Sequence, residues 1–166
     1  MCGRYSLTDE DRRLRKRFGY RDHLNLLPRY NIAPTQDAPV VLADDAPKSA
    51  SMRWNLIPFW AKDEAIGNKL INARAETLAS KPAFRNAFTR RRCLVPTDGF
   101  YEWAKDGSGK QPVRIVMADR QPFVFAGLWD RWKRPDGPDL LTFTIITTEA
   151  SAVLKPIHSR MPVIVE

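Results

Sequence analysis

Four segments in the second half of the chain restrict the fold more than any other feature. They are rich in β-branched and aromatic residues, which favour extended strands: RCLVPTDGFYEWAK, PVRIVMA, PFVFAGLWDRW and LLTFTIITT. The sequences between them, DGSGK, DRQ and RPDGPD, contain the Gly, Asp and Pro residues typical of tight turns. Because strands joined by short turns pair antiparallel, we predict an α+β domain with a curved, mostly antiparallel, barrel-like sheet and short flanking helices.

The first half of the chain mixes helical and extended patterns. The segment SLTDEDRRLRKRF predicts a helix capped by Thr8, with Leu14 and Phe18 on one face. The segment NARAETLASKPAFRNAF has helical character that is broken near Pro82. The remaining segments are predicted as a proline-punctuated connection, RYNIAPTQDAP, and two strands, PVVLAD and SMRWNLIPFW, around the turn DAPKSA.

Length and charge limit the class of protein. A chain of 166 residues suffices for one domain, and it has no internal repeat or linker, so we expect residues 1–166 to form a single domain. The chain has 27 Lys and Arg against 19 Asp and Glu, a net charge of +8, and five tryptophans. This composition indicates a polyanionic partner such as a nucleic acid, although many basic domains bind none.

The sequence carries no recognisable signal for a membrane or an oxidising compartment. No apolar run approaches the ~20 residues of a membrane span, and none at the N-terminus resembles a signal peptide. Cys2 and Cys93 have neither disulfide nor metal-ligand spacing. We therefore expect a cytoplasmic monomer without membrane contact, associated with the nucleoid if its source is bacterial, in which Cys2 is a free thiol.

Several familiar catalytic motifs do not occur in the sequence. The loop DGSGK is only faintly similar to a phosphate-binding loop, since Ala104 stands five positions before Gly109 and Gln111 replaces the required hydroxyl residue. The patterns H-E-x-x-H, C-x-x-C and G-x-S-x-G are missing, and His23 and His158 are the only histidines. We expect neither a metal nor another cofactor.

Three segments set polar residues within apolar surroundings: INARAET, DGFYEW and IHSRMPVI. Taken singly, each polar residue has a structural interpretation: Glu102 as an outward-facing strand residue, Asn72 as a helix cap and His158 as a core histidine. Taken with Cys2, the same residues supply a nucleophile, a carboxylate for acid–base work, an amide to hold a reacting group and a titratable imidazole.

The first five residues, MCGRY, place a cysteine directly after the initiator methionine. A small residue at position 2 usually permits removal of that methionine. Cys2 would then carry a free α-amine and a thiol on adjacent carbons, a 1,2-aminothiol that an internal cysteine cannot offer. The alternative interpretation is that the residue at position 2 varies freely and that the cysteine there has no special role.

The order of nine motifs resembles that of the SRAP (SOS-response-associated peptidase) family. The motifs are MCGRY, YNIAPTQ, WNLIPFWAKD, INARAET, KPAFR, RRCLVPTDGFYEW, FAGLWD, TIITTEA and IHSRMPV, and they extend from residue 1 to about residue 165. The resemblance implies the fold of that family and recognition of abasic sites in single-stranded DNA, which the family traps as a DNA–protein crosslink. The implied partner is single-stranded DNA that contains an abasic site.

That activity would explain the position of Cys2. An abasic site exists partly as a ring-opened aldehyde, with which the Cys2 amine, of reference pKa about 8, can condense to a Schiff base. The thiol of the same residue then adds to the imine carbon and closes a five-membered thiazolidine. This second step is intramolecular and gains from effective concentration.

The resemblance also assigns roles to single residues. Cys2 resembles the crosslinking residue, and Asn72 the side chain that holds its amine. Glu102 is similar to the acid–base group, which also catalyses reversal, and His158 to the residue beside the 3′ phosphate that assists opening of the deoxyribose ring. Backbone or base contacts are implied for Arg4, Trp60, Arg74, Lys81, Arg85, Thr147 and Arg160, and an ordering role for Asn31 and Glu76. Trp60 has a second interpretation as a core tryptophan.

The sequence departs from the family pattern at three places. Ser159 stands where the family usually has Asp, which removes a carboxylate beside His158, and Asn55 stands where Gly is frequent, which we expect to alter a strand bend near Trp60. The chain stops at Glu166, where family members usually continue, so we expect a short C-terminal end. Two alternative functions stay open: a thiol peptidase with Cys2 as nucleophile and His158 as base, and a non-catalytic single-strand-binding module.

Overall fold

Strands dominate the structure, a computed structural model that describes residues 2–23, 26–43, 47–107 and 109–165. Within these ranges the strands are β1 (Tyr5–Leu7), β2 (Arg29–Ile32), β3 (Asp37–Leu42), β4 (Ser49–Trp54), β5 (Asn72–Arg74), β6 (Arg92–Thr97), β7 (Gly99–Asp106), β8 (Gly109–Ile115), β9 (Phe123–Trp132), β10 (Leu140–Glu149), β11 (Arg160–Pro162) and β12 (Ile164–Val165). The helices are α1 (Asp11–Phe18), α2 (Arg85–Arg90) and two 3₁₀-helices, Glu64–Lys69 and Ala75–Thr77. None of these helices has the length and apolar composition required to cross a bilayer.

Five strands close into a barrel. Their order is β3, β4, β10, β9 and β6, and β6 pairs with β3 to complete the ring. Every pair in the ring is antiparallel except β10 with β4, which run parallel with Phe143 opposite Trp54. The predicted α+β class with a mostly antiparallel, barrel-like sheet is therefore confirmed.

Aromatic side chains fill the main core. The rings of Trp54 and Phe143 stack with their centroids 6.3 Å apart, and Tyr5 meets Trp54 and Phe125 edge-on at 5.2 and 6.0 Å. All four residues are fully buried. Each such aromatic pair stabilises the fold by about 0.5–1.5 kcal/mol beyond the burial of its area, so β1, which carries Tyr5, is fixed firmly to the barrel.

A second sheet carries the N-terminus, with its strands in the order β2, β1, β7 and β8. All its pairs are antiparallel, and Tyr5 of β1 lies opposite Ile32 of β2 and Phe100 of β7. The backbone N–H of Tyr101 also donates to the carbonyl of Arg4 at 2.9 Å. The residues just before β1 therefore lie along the middle of β7.

Asp98, between β6 and β7, fixes this arrangement. Its carboxylate accepts hydrogen bonds from the Ser6 hydroxyl at 2.5 Å and the Thr8 backbone N–H at 2.6 Å, and it pairs with Arg114 at 2.9 Å. Burial alone would raise the pKa of Asp98, but the hydrogen bonds from Ser6 and Thr8 outweigh it and lower the pKa below its ordinary value. The ionised carboxylate therefore holds β1 at its middle residue, Ser6, and just beyond its last residue, at Thr8.

The predicted first helix is present, but its predicted cap is wrong. The N-cap residue is Glu10, which makes no side-chain capping bond, and the Thr8 hydroxyl donates to Asp98 instead. Leu14 is fully buried and Phe18 packs against the same core, as the spacing predicted. Gly19 ends α1 at a φ of 72°, a left-handed conformation that glycine adopts without steric cost.

The predicted helix over NARAETLASKPAFRNAF is largely wrong. Its first residues form β5, because they pair in parallel with β10, and regular α-helix is confined to Arg85–Arg90. Two predictions in the first half also need correction: RYNI forms β2 rather than a connection, and the strand predicted over SMRWNLIPFW ends at Trp54. The predicted turn DAPKSA begins with residues 45 and 46, which lie outside the described residues.

The expected effect of Asn55 on a strand bend is also wrong, since no strand runs from Asn55 to Trp60. Asn55 is buried beyond the end of β4 and lies against Gly67. A Cβ atom at Gly67 would come within 2.9 Å of the Asn55 carbonyl oxygen, so the two residues determine how closely the Glu64–Lys69 helix packs here.

Candidate functional site

The C-terminal half of β10 extends past the barrel and gathers three sequence-predicted residues. Strand β5 pairs on one side, with Asn72 opposite Ile145 and Arg74 opposite Thr147. Strand β11 pairs on the other side and brings Arg160 opposite Glu149. Asn72, Arg74 and Arg160, which are far apart in sequence, therefore converge on one end of the fold.

Asn72 connects this end of the barrel to the N-terminus. Its side-chain Nδ2 donates to the Cys2 carbonyl oxygen at 2.9 Å, and the Cys2 side chain is fully buried. The other amide atom, Asn72 Oδ1, is buried and has no hydrogen-bond partner in the part of the chain that the structure describes. An acceptor without a donor thus lies beside the Cys2 backbone.

The surroundings of the Cys2 thiol keep it protonated. Burial raises the pKa of the thiol well above its ordinary value, and the nearby negative charge of Glu102 raises it further. The thiol makes a long hydrogen bond of 3.9 Å to the Arg4 carbonyl oxygen. Glu102 is 4% exposed, so its interpretation as an outward-facing strand residue is wrong.

Glu102 and His158 line one open cleft of about 530 Å³, the central cleft. The remaining lining residues are Trp103, Lys105, Lys110, Lys155, Pro156, Ile157 and Ser159. The imidazole is half-buried, and its Nδ1 lies 3.0 Å from the Arg160 backbone nitrogen and 3.1 Å from the Arg160 carbonyl oxygen. A carboxylate and an imidazole, both able to transfer protons, therefore share a cleft with three lysines.

A second cleft of about 330 Å³, the arginine cleft, adjoins the first through Lys155 and Ser159, which line both. The other residues that line it are Arg74, Glu149, Ala150 and Arg160. The Arg160 guanidinium is held by Glu76, whose oxygens accept from Nη1 at 2.8 Å and Nη2 at 3.0 Å, and by the Thr147 carbonyl at 2.7 Å. Hydrogen bonds from Arg160 lower the pKa of Glu76 to about 2.

A third cleft of about 550 Å³, the aromatic cleft, adjoins the central cleft on its other side through Trp103, which lines both. Its residues are Arg4, Tyr30, Asn31, Tyr101, Trp103 and Pro112. The structure thus brings the predicted residues Arg4 and Asn31 together beside the N-terminus. The three adjoining clefts are together called the groove, and each is lined by at least one cationic side chain.

Not every predicted residue joins this groove. Trp60, Lys81 and Arg85 line none of the three clefts, and their contacts with DNA stay predictions. Trp60 is 47% exposed, so its interpretation as a core tryptophan is wrong. Thr147 is fully buried and contacts Arg160, and a direct contact between Thr147 and DNA also stays a prediction.

The two other structural interpretations are also resolved. Asn72 lies in β5, so it does not cap a helix. His158 is half-buried at a cleft, so it is not a core histidine.

The sequence interpretation missed several groove residues. Tyr101 and Trp103 belong to the segment DGFYEW, in which only Glu102 is assigned a role from the sequence, and no role is assigned to Lys105, Lys110 or Lys155. A signal was present, because Tyr101, Trp103 and Lys105 alternate with Glu102 along one strand and must share the opposite face. Among the described residues, no group of three or more His, Cys, Asp or Glu side chains is arranged to hold a metal ion.

The fold and groove define a small β-barrel protein with a buried cysteine close to its N-terminus, next to the Glu102 side chain that lines a basic cleft. The chain belongs to the SOS response associated peptidase (SRAP) family, whose model matches residues 1–166.

Individual relatives agree with this assignment. The abasic site processing protein YoqW of Bacillus subtilis is 44% identical over 169 residues, which cover 99% of this chain and 75% of the relative. The abasic site processing protein HMCES of Gallus gallus is 32% identical, covering 100% of this chain and 62% of its own length. A crystal structure of a protein from Bacteroides thetaiotaomicron has a TM-score of 0.90 at 31% identity, covering 99% of this chain and 77% of the other.

Proposed function

We propose that this protein recognises abasic sites in single-stranded DNA and crosslinks them covalently through Cys2 after removal of Met1. The names of relatives such as YoqW and HMCES, abasic site processing proteins, support the substrate class. The basic groove supports a nucleic-acid strand as the ligand, because cations along a groove neutralise successive phosphates.

One observation carries the proposal. Asn72 donates one hydrogen bond to the Cys2 carbonyl, while its buried Oδ1 has no donor among the residues that the structure describes. A buried acceptor left without a donor is costly. A free α-amine on Cys2 would be a suitable donor for that oxygen, which supports Cys2 as the terminal residue of the reacting protein.

The reaction forms two bonds at the aldehyde carbon of the opened sugar. The Cys2 amine attacks the carbonyl, and the resulting carbinolamine loses water to give an imine. The thiol then adds to the imine carbon, its proton passes to the nitrogen, and a thiazolidine results. In this proposal Glu102 protonates the leaving oxygen and accepts a proton from the amine, and His158, which lines the same cleft, assists opening of the sugar ring.

Intact-mass spectrometry tests the proposal. Purified protein without Met1 is incubated with a single-stranded oligonucleotide that carries one abasic site, and we expect a heat-stable adduct equal to the two masses less one water. A variant with a residual N-terminal tag keeps the thiol but lacks the free amine, and Cys2→Ala keeps the amine but lacks the thiol. Neither should form the stable adduct.

Cys93→Ala is the matched control. Cys93 is also a fully buried thiol, whose pKa is raised by burial, yet it lies within β6, far from the terminus in sequence. We expect normal crosslinking by Cys93→Ala. A normal yield of heat-stable adduct from the tagged protein would contradict the proposal.

A further inference from the structure

The outward face of the β7–β8 hairpin alternates aromatic and cationic residues. Register pairs Trp103 with Pro112 and Lys105 with Lys110, so these four side chains share one face. Glu102, between them in sequence, is turned to the opposite, buried face. An exposed aromatic ring among lysines can bind single-stranded nucleic acids, because bases stack on the ring while phosphates meet the cations.

Tyr30 of β2 completes this surface from the far side of β1. It is 69% exposed, and Trp103 is 39% exposed. The Tyr101 hydroxyl donates to the Tyr30 carbonyl at 3.0 Å, which ties β2 to the middle of β7 across β1. Two large aromatic side chains are thus presented to solvent on a rigid sheet rather than on a mobile loop.

The aromatic cleft lies between these rings and has the size and polarity that a base requires. Its volume of about 550 Å³ is within the range of small-ligand pockets. The Asn31 amide and the Arg4 guanidinium supply hydrogen-bond donors, and Asn31 also supplies an acceptor. Trp103 lines this cleft and the central cleft, so a strand in one continues directly into the other.

We propose that the aromatic cleft binds one unpaired nucleobase of the DNA strand, adjacent to the abasic nucleotide and on the side away from Arg160. The inference rests on the proposed function, because that function places the abasic sugar in the central cleft beside Glu102 and His158. Stacking recognises the π-face that all bases share, so the site selects for a base without selecting its identity. The arginine cleft lies at the opposite end of the groove and holds the backbone on the other side of the lesion.

Fluorescence of 2-aminopurine tests this inference. Two oligonucleotides carry a tetrahydrofuran abasic analogue, which has no aldehyde and cannot crosslink, with 2-aminopurine either directly 5′ or directly 3′ of it. We expect wild-type protein to quench the fluorescence of one of the two severalfold and the other much less. Trp103→Ala should lose that selective quenching and weaken binding about 5-fold or more, whereas Trp103→Phe should retain most of both.

Phe88→Ala is the matched control, because Phe88 on α2 is 37% exposed and lines none of the three clefts. We expect it to leave both quenching and affinity unchanged, and thermal melting of each variant verifies folding. Equal quenching at both neighbours, or unchanged binding by folded Trp103→Ala, would overturn the inference. Crosslinking of a natural abasic strand is measured in parallel, so failure of the proposed function is detected separately.

Discussion

Replacing Glu76 by Gln should increase the affinity of this protein for single-stranded DNA. Glu76 occupies both terminal nitrogens of Arg160 in a bidentate pair, the geometry in which a guanidinium also holds a phosphate. The lowered pKa of Glu76, about 2, means that it carries its full negative charge at neutral pH. Under the proposed function, Glu76 therefore competes with DNA for Arg160, and Glu76→Gln weakens the competitor while nearly preserving its shape.

The size of the effect follows from counterion release. Each phosphate neutralised on a single strand contributes about −0.7 to the slope of log K against log salt. If Glu76→Gln frees Arg160 for one additional phosphate, the slope becomes steeper by about 0.7. Between 50 and 200 mM salt, the variant should then lose about 2- to 3-fold more affinity than wild type, starting from tighter binding at 50 mM.

Fluorescence anisotropy with a labelled single strand at four salt concentrations measures the slope directly. Glu64→Gln is the matched control, because it makes the same chemical change at a carboxylate of similar exposure. Glu64 pairs with Arg53, and Arg53 lines none of the three clefts. The control should change the slope little. A shallower slope or weaker binding for Glu76→Gln would refute the competition argument and show that Glu76 positions Arg160 for the strand.

Two further predictions concern stability and rate. Asp98→Asn should destabilise the fold by about 2 kcal/mol, because charged hydrogen bonds to Ser6 and Thr8 are lost, and should lower the melting temperature by about 4–8 °C. Because the folded-state pKa of Asp98 is lowered, the stabilisation by its carboxylate is present above about pH 4 and disappears as pH falls further. If the difference in stability between Asp98→Asn and wild type instead grew on acidification, Asp98 would not be the stabilising carboxylate. Glu102→Gln should slow crosslinking about 100-fold or more in a time course on denaturing gels, while equal rates would exclude Glu102 as the acid–base group.

The strands of the second half could be predicted because their signals are local. Alternating β-branched and aromatic residues, with turn residues between them, occur within each segment and agree with the observed β6 to β10. The segment from Asn72 to Arg74 could not be predicted in the same way. Its neighbouring Ala, Glu and Leu residues favour helix, and only parallel pairing with β10, distant in sequence, makes it a strand.

The same distinction applies to the site. The resemblance identified Cys2, Asn72, Glu102 and His158 as a set, and the structure brings Asn72 and Glu102 to Cys2 and His158 to the cleft of Glu102. The alternation along the strand places Trp103 on the face opposite Glu102, but it does not predict that this face is open to solvent, because that depends on where the fold places the β7–β8 hairpin. Neither the pairing of Glu76 with Arg160 nor the burial of Thr147 has a local signal, since both depend on strands that meet only in the fold.

Under the proposed function, the protonation of the Cys2 thiol determines the order of the two bond-forming steps. Burial and the Glu102 charge raise the pKa of the thiol, so it stays protonated at neutral pH, and the α-amine, with a reference pKa of about 8, attacks the aldehyde first. The imine then places its carbon one bond from the nitrogen of the same residue, so the thiol closes the ring at high effective concentration while its proton passes to that nitrogen. A peptidase nucleophile, in contrast, gains nothing from a free α-amine on the same residue. The use of both the amine and the thiol of Cys2 therefore favours the crosslinking reaction over the peptidase alternative.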